Sequence, residues 1–124
     1  MATVEESPIL ATYYAILRGG AEQYGEGEKL LPLLSDSFVF DGPIAGRMEG
    51  AARFTIGVRG FIETVVSITM LHVVLAPKSA ATLYDATLPS GRVRFAEFFE
   101  FEADRIRELR IHYAGSAYLA AGGR

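Results

Sequence analysis

The sequence predicts an α+β fold, a cone-shaped arrangement in which N-terminal helices pack on the concave face of a curved, mostly antiparallel sheet. Three observations carry that prediction. A single amphipathic stripe opens the chain between a capping serine and a glycine pair, one short strand follows, and residues 64–114 are dense in β-branched and aromatic residues broken by turn signals. Helices that precede a run of strands have one way to bury their apolar stripes, which is to lie on one face of the sheet those strands form.

Ser7 followed by Pro8 starts the first helix, because a serine oxygen caps orphan N–H groups and proline fits the first turn. Leu10, Tyr13, Tyr14 and Leu17 fall at i, i+3, i+4 and i+7, so both tyrosines lie on the buried stripe, and Gly19–Gly20 stop the helix. "AEQYGEGEK" is polar and glycine-rich and is expected to be a loop, and "LLPLL" is a short second helix disturbed by Pro32. "SFVF" reads as a short strand running into the turn-rich "DGPIAG". Residues 49–63 are expected to form a third helix, weakened by Gly57 and Gly60. Four antiparallel strands then follow, divided at "APKS", "LPSG" and "EAD", and "AAGGR" is expected to be a loose tail. The segment "FAEFFEFEADRIREL" also contains helix formers, but Phe101 breaks a helical stripe. A period of two places Val93, Phe95, Phe99 and Phe101 on one face with Glu97, leaving Phe98 on the other.

At 124 residues, 50% of them apolar, the chain has room for one domain spanning residues 1–124. Twelve basic and fifteen acidic residues give a net charge of −3 without a basic block, which argues against nucleic acid as a partner. There is no cysteine, hence no disulfide, thiol nucleophile or thiolate metal site. The acidic start lacks the features of a secretory signal, and the longest apolar-rich run, "VVSITMLHVVL", falls well short of the ~20 residues of a membrane-spanning helix. A cytoplasmic location with no membrane association is expected. The Gly-x-Gly in "YGEGEK" has neither a preceding strand nor a following Lys-Ser/Thr, which disfavours a phosphate loop. His72 and His112 are isolated on separate strands, so no metal and no cofactor is expected, and "AGSAY" lacks the second glycine of a serine-nucleophile elbow.

Glu97 is the one polar group on an otherwise apolar strand face. Desolvation there raises a carboxyl pKa, unless Arg59 or Arg107 pairs with it. Asp41 ends the first strand, either as a turn residue holding "DGP" or as a general base at a cavity mouth. Asp85 shares a face with Leu83 and Thr87, opposite Tyr84, Ala86 and Leu88, and either face can be inward. Tyr13 and Tyr14 are core aromatics by spacing, with phenols able to donate into a cavity.

The segment "LLSDSFVFDGPIAGRMEGAARF" resembles the acidic strand, glycine loop and following helix of the nuclear transport factor 2-like superfamily, which includes ketosteroid isomerases and SnoaL-like cyclases. The resemblance covers nearly the whole chain. It implies the cone-shaped fold, a hydrophobic pocket and, position by position, Asp41 as general base with Tyr14, or its neighbour Tyr13, and neutral Glu97 as donors to an enolate oxygen. In ketosteroid isomerases a carboxylic acid is kept neutral by an apolar site for that purpose. Two departures stand out: "DGP" replaces the usual "DP", and glutamate is one methylene longer than the isomerases' aspartate. Tyr13, Phe54, Asp85, Phe95, Phe99 and Tyr113 are the candidate substrate-binding residues. Epoxide hydrolase chemistry fits less well, because Leu83 and Ile111 stand where its arginine and second aspartate belong. Scytalone dehydratase chemistry needs a histidine pair, and the alternation of "RELRIHY" turns His112 away from the pocket. Three functions are therefore expected to compete: cofactor-free proton transfer on a small hydrophobic carbonyl compound, ligand binding without turnover, and a homodimeric scaffold joined through an exposed sheet face carrying Phe98, Tyr84 and the histidines.

Overall fold

The computed structural model describes residues 2–124. Helix α1 (Pro8–Arg18) begins where Ser7 Oγ accepts from the Leu10 N–H at 3.4 Å, and it buries Leu10, Tyr13, Tyr14 and Leu17. A short helix α2 (Gly20–Tyr24) follows within the polar stretch expected to be a loop, held in place because Tyr24 is buried and its hydroxyl donates to the Thr55 carbonyl at 2.5 Å. A 3-10 turn at Leu31–Leu33 leads into β1 (Leu34–Gly42) and then β2 (Gly46–Glu49). The expected third helix is two short ones, α3 (Ala51–Gly57) and α4 (Arg59–Thr64). The meander is β3 (Ser67–Ala76), β4 (Ser79–Leu88), β5 (Gly91–Glu102) and β6 (Arg105–His112), and α5 (Gly115–Ala120) follows it.

These strands make one sheet in the order β2-β1-β6-β5-β4-β3. All neighbours are antiparallel except β1 and β6, which run parallel. The register shifts along β3/β4, β5/β6 and β1/β6, irregularities that bend and twist a sheet and so curve it around the helices. Alternation decides what faces the helices. In β4, Ala80, Thr82, Tyr84, Ala86 and Leu88 are all buried, and in β5, Val93, Phe95, Glu97 and Phe99 are. Together with the α1 stripe they form one core.

The C-terminal segment is not the loose tail expected. Tyr118 and Ala121 are buried, the Tyr118 hydroxyl donates to the Arg124 carbonyl at 2.9 Å, and Arg124 lies against Gly60 of α4 so closely that a Cβ there would collide with its carbonyl. No helix among the described residues is long and apolar enough to cross a membrane.

Candidate functional site

Between the inner sheet face and α1, α3, α4 and α5 lies a cavity of about 220 Å³. Rings form a large part of its walls: Phe40, Phe54, Phe61, Phe95, Tyr113 and Tyr118. They are packed against one another, Phe40 to Phe54 at 5.0 Å between centroids and Phe95 to Tyr113 at 4.6 Å. Ile44, Leu119 and Arg124, all exposed, line its solvent side. Tyr13, Tyr84 and Glu97 supply the polar atoms of the buried end.

Glu97 is 1% exposed, and no arginine reaches it. Arg59 is paired with Glu26 and Glu63, and Arg107 with Glu100. Its partners are phenols. Tyr14 donates to Oε1 at 2.5 Å and Tyr84 donates to Oε2 at 2.8 Å. The Tyr14 oxygen lies 2.6 Å from Thr82 Oγ1, and since its one proton goes to Glu97, Thr82 is the donor in that bond. The result is a chain in which Thr82 donates to Tyr14, Tyr14 to Glu97, and Tyr84 to the other carboxyl oxygen. Burial pushes the Glu97 carboxyl up to about 7, against the opposing pull of the two phenolic hydrogen bonds, which favour its charged form. Burial, reinforced by the charge of Glu97, holds the hydroxyls of Tyr13, Tyr14 and Tyr84 well above their ordinary value, so all three remain neutral donors.

The resemblance pointed to Glu97, Tyr14 and Asp41 as one constellation, and the structure brings only the first two together. Phe38 and Phe40 point into the core, so the next residue of the extended strand, Asp41, points out. It is exposed, with Arg47 and Arg110 as its cross-strand neighbours. Asp85 is corrected for the same reason. Tyr84 takes the inner face of β4, and Asp85 forms a bidentate pair with Arg94 at 2.9 and 3.1 Å on the outer one. Tyr14 is buried with its hydroxyl committed to Glu97 and Thr82, and it is not a cavity-lining residue; its neighbour Tyr13 is. Phe99 backs the site from behind, 5.5 Å from Tyr13 and 6.3 Å from Tyr14 between ring centroids. Tyr13, Phe54, Phe95 and Tyr113 line the cavity.

Tyr84, expected on the exposed sheet face with Phe98 and the histidines, is buried on the inner one, and Thr82 was not singled out from sequence, although a signal for both existed. The tight turn at Pro89–Ser90 pairs Leu88 with Gly91, and counting back from it sets Asp85 opposite Arg94, Tyr84 opposite Phe95 and Thr82 opposite Glu97. An outward acid–arginine pair on that register turns Tyr84 and Thr82 inward. Among the described residues no three His, Cys, Asp or Glu side chains are grouped so as to hold a metal ion.

The SnoaL-like domain family matches residues 12–109, most of the chain. The chain belongs to the SnoaL-like family. Solved structures agree on the fold. A protein from Kribbella flavida superposes with a TM-score of 0.77 at 22% identity, covering 91% of this chain and 89% of that one. A steroid delta-isomerase from Pseudomonas aeruginosa gives 0.73 at 17% identity, covering 98% and 86%. A nuclear transport factor 2-like protein of unknown function from Cytophaga hutchinsonii gives 0.72 at 14% identity, covering 96% of each. No curated protein matches the sequence. The SnoaL-like, ketosteroid isomerase-like fold suggests ligand binding or isomerase-type chemistry, and at these identities the likeness extends to the fold alone.

Proposed function

We propose that this SnoaL-like domain binds a small hydrophobic carbonyl compound and moves a proton at the carbon next to the carbonyl, with Glu97 as the proton carrier. The observation that carries this reading is a buried, arginine-free carboxyl on the wall of an aromatic cavity, poised near neutrality. An acid–base group works best when its pKa lies near the working pH, because both forms are then available. The ionised Glu97 takes the proton as the Cα–H bond breaks, and the electron pair moves into the carbonyl to give an enolate. The neutral Glu97 then returns the proton to the same carbon, or to a conjugated one in an isomerisation. Tyr14 and Tyr84 hold the carboxyl oriented and stabilise its charged form. Asp41, the base that the family resemblance suggests, has no part in this scheme because its side chain leaves the core.

Solvent deuterium incorporation into enolisable cyclic ketones tests the reading. The wild-type protein accelerates exchange next to the carbonyl, Glu97→Gln slows it roughly 100-fold or more, and Asp41→Asn leaves it intact. Exchange undiminished in Glu97→Gln removes the assignment.

The outward position of Asp41 also favours a second reading, in which the cavity holds its ligand without turnover. Native mass spectrometry that recovers a retained ligand chemically unaltered, together with no exchange, supports that reading. The proposal includes a homodimer joined through the outer sheet face, where Val74, Ala81, Phe98 and Arg110 form a row across four strands with Val74 52% and Phe98 48% exposed.

A further inference from the structure

The cavity carries charged residues at its two ends and none between. Glu97 stands at the buried end and Arg124 on the solvent side, and every other residue lining it is uncharged. The proton-transfer reading uses Glu97 and leaves Arg124 without a task. Arg47, Arg59, Arg94, Arg105, Arg107 and Arg110 each find a carboxylate, yet none of the ion pairs among the described residues includes Arg124. Its backbone is held in place all the same. The Tyr118 hydroxyl donates to its carbonyl at 2.9 Å, the Gly123 N–H donates to the Tyr118 carbonyl at 2.9 Å, and the carbonyl of Arg124 packs on Gly60. Burial raises the Tyr118 hydroxyl above its ordinary value, and the positive charge of Arg124 is among the pulls against that rise. Tyr118 is itself part of the cavity wall, so the charge acts at the cavity rather than only on bulk solvent.

We infer that the ligand carries one carboxylate on a single-ring body, with the ring among the phenylalanines and the carboxylate at the mouth on the Arg124 guanidinium, so that Arg124 selects acids over their neutral analogues. The planar fork of a guanidinium matches the two oxygens of a carboxylate. At the solvent edge such a pair escapes the desolvation cost that a buried one carries. The charges fix the direction of the ligand. Turned round, it would set its carboxylate against Glu97, and a ligand with an ammonium group at the mouth would meet a like charge. A phosphate dianion calls for several converging donors, and the mouth offers one cation. Size sets the ring count. A cavity of about 150 Å³ holds one benzene ring, and a chamber of about 220 Å³ fits one ring with a substituent. With the reacting carbonyl at the Glu97 end, the molecule is a cyclic keto acid whose two oxygen groups lie on opposite sides of the ring.

This inference rests on the cavity being the ligand site proposed above and deepens that reading by naming the class of molecule. Deuterium exchange on neutral ketones reports the proton transfer and binding selectivity reports Arg124, so the two can fail separately. Calorimetric titration at pH 7 compares 4-oxocyclohexanecarboxylate with its neutral isostere 4-oxocyclohexanecarboxamide on the wild type, Arg124→Gln and Arg124→Lys, with thermal melting confirming that each is folded. At low ionic strength the wild type should bind the acid at least about threefold tighter than the amide, as an exposed ion pair allows. Raising the salt to about 0.5 M should shrink that preference, because the pair is open to screening. Arg124→Gln should lower the affinity for the acid to that for the amide, and Arg124→Lys should keep part of the preference. Equal affinities for acid and amide in the wild type, a preference for the acid that survives in Arg124→Gln, or binding of neither compound would each overturn the inference. Should Arg124→Gln melt before titration, Arg124→Met supplies an uncharged replacement for the same comparison.

Discussion

Glu97 is where the stability of the protein and its proposed chemistry meet. Its carboxyl rises from the ordinary 4.5 to about 7 on burial, so between those values the folded chain holds a proton that the unfolded chain has released. Stability is therefore full below about pH 4.5 and falls as the pH rises through 7, by an amount on the order of 3 kcal/mol for this group alone. Denaturant titrations of the wild type and Glu97→Gln at pH 5, 6, 7 and 8 should show that decline in the wild type and a flatter profile in the variant. A parallel decline in both would place the titration elsewhere. Asp41 offers the contrast. With its side chain in solvent, Asp41→Asn should change stability by less than about 0.5 kcal/mol. Glu97 was legible from sequence because one polar residue interrupted an apolar face, a pattern that survives any detail of packing. The outward turn of Asp41 was not readable from its motif, since the resemblance aligns an acid at the strand end without reporting which way the strand faces there. Phe38 and Phe40, both buried, decide it.

At the scale of elements, the four-strand meander could be read because its apolar residues alternate and its turns are marked. β2 could not, because Gly-Arg-Met-Glu carries one apolar side chain and owes its strand conformation to pairing with β1. The C-terminal helix was hidden in the same way. Small residues and glycines surround Tyr118, and the segment is ordered by long-range contacts, the packing of that ring against Phe61 and Phe95 among them. Two substitutions probe these elements. Gly60→Ala places a methyl group where the Arg124 carbonyl packs, so it should destabilise by about 1–3 kcal/mol and release the segment that lines the solvent side of the cavity. A fall in melting temperature together with faster hydrogen exchange at residues 118–124 would register it. The β5–β6 turn acts in the opposite direction. Ala103 and Asp104 both take left-handed conformations, at φ of 49° and 65°, as a two-residue hairpin turn requires. Relief of the steric cost at an alanine exceeds the entropy that glycine adds, so Ala103→Gly should stabilise by about 0.5–1 kcal/mol in thermal unfolding.

At the scale of the whole molecule, two faces of one sheet have different fates. The inner face is covered by helices, while the outer carries the half-exposed pair Val74 and Phe98, with His112 edge-on to Phe98 at 5.7 Å between ring centroids. At the end of this row and beside it are the Arg110–Glu108 and Arg107–Glu100 pairs, charges of both signs that a two-fold-related copy can match. Sedimentation velocity should return a dimer at micromolar concentration that Phe98→Glu converts to a monomer. A monomeric wild type at all concentrations would remove the interface. The inner face poses a different problem, because a greasy helix resting on a greasy sheet has many nearly equivalent positions. The bonds from Thr82 to Tyr14 and from Tyr14 to Glu97 cross that boundary, with one partner on α1 and the others on β4 and β5. A helix slipped by one turn, about 5.4 Å, would bury Glu97 a donor short. The carboxyl thus acts as an index mark for assembly, and partly docked chains are rejected by the same group that would carry the proton.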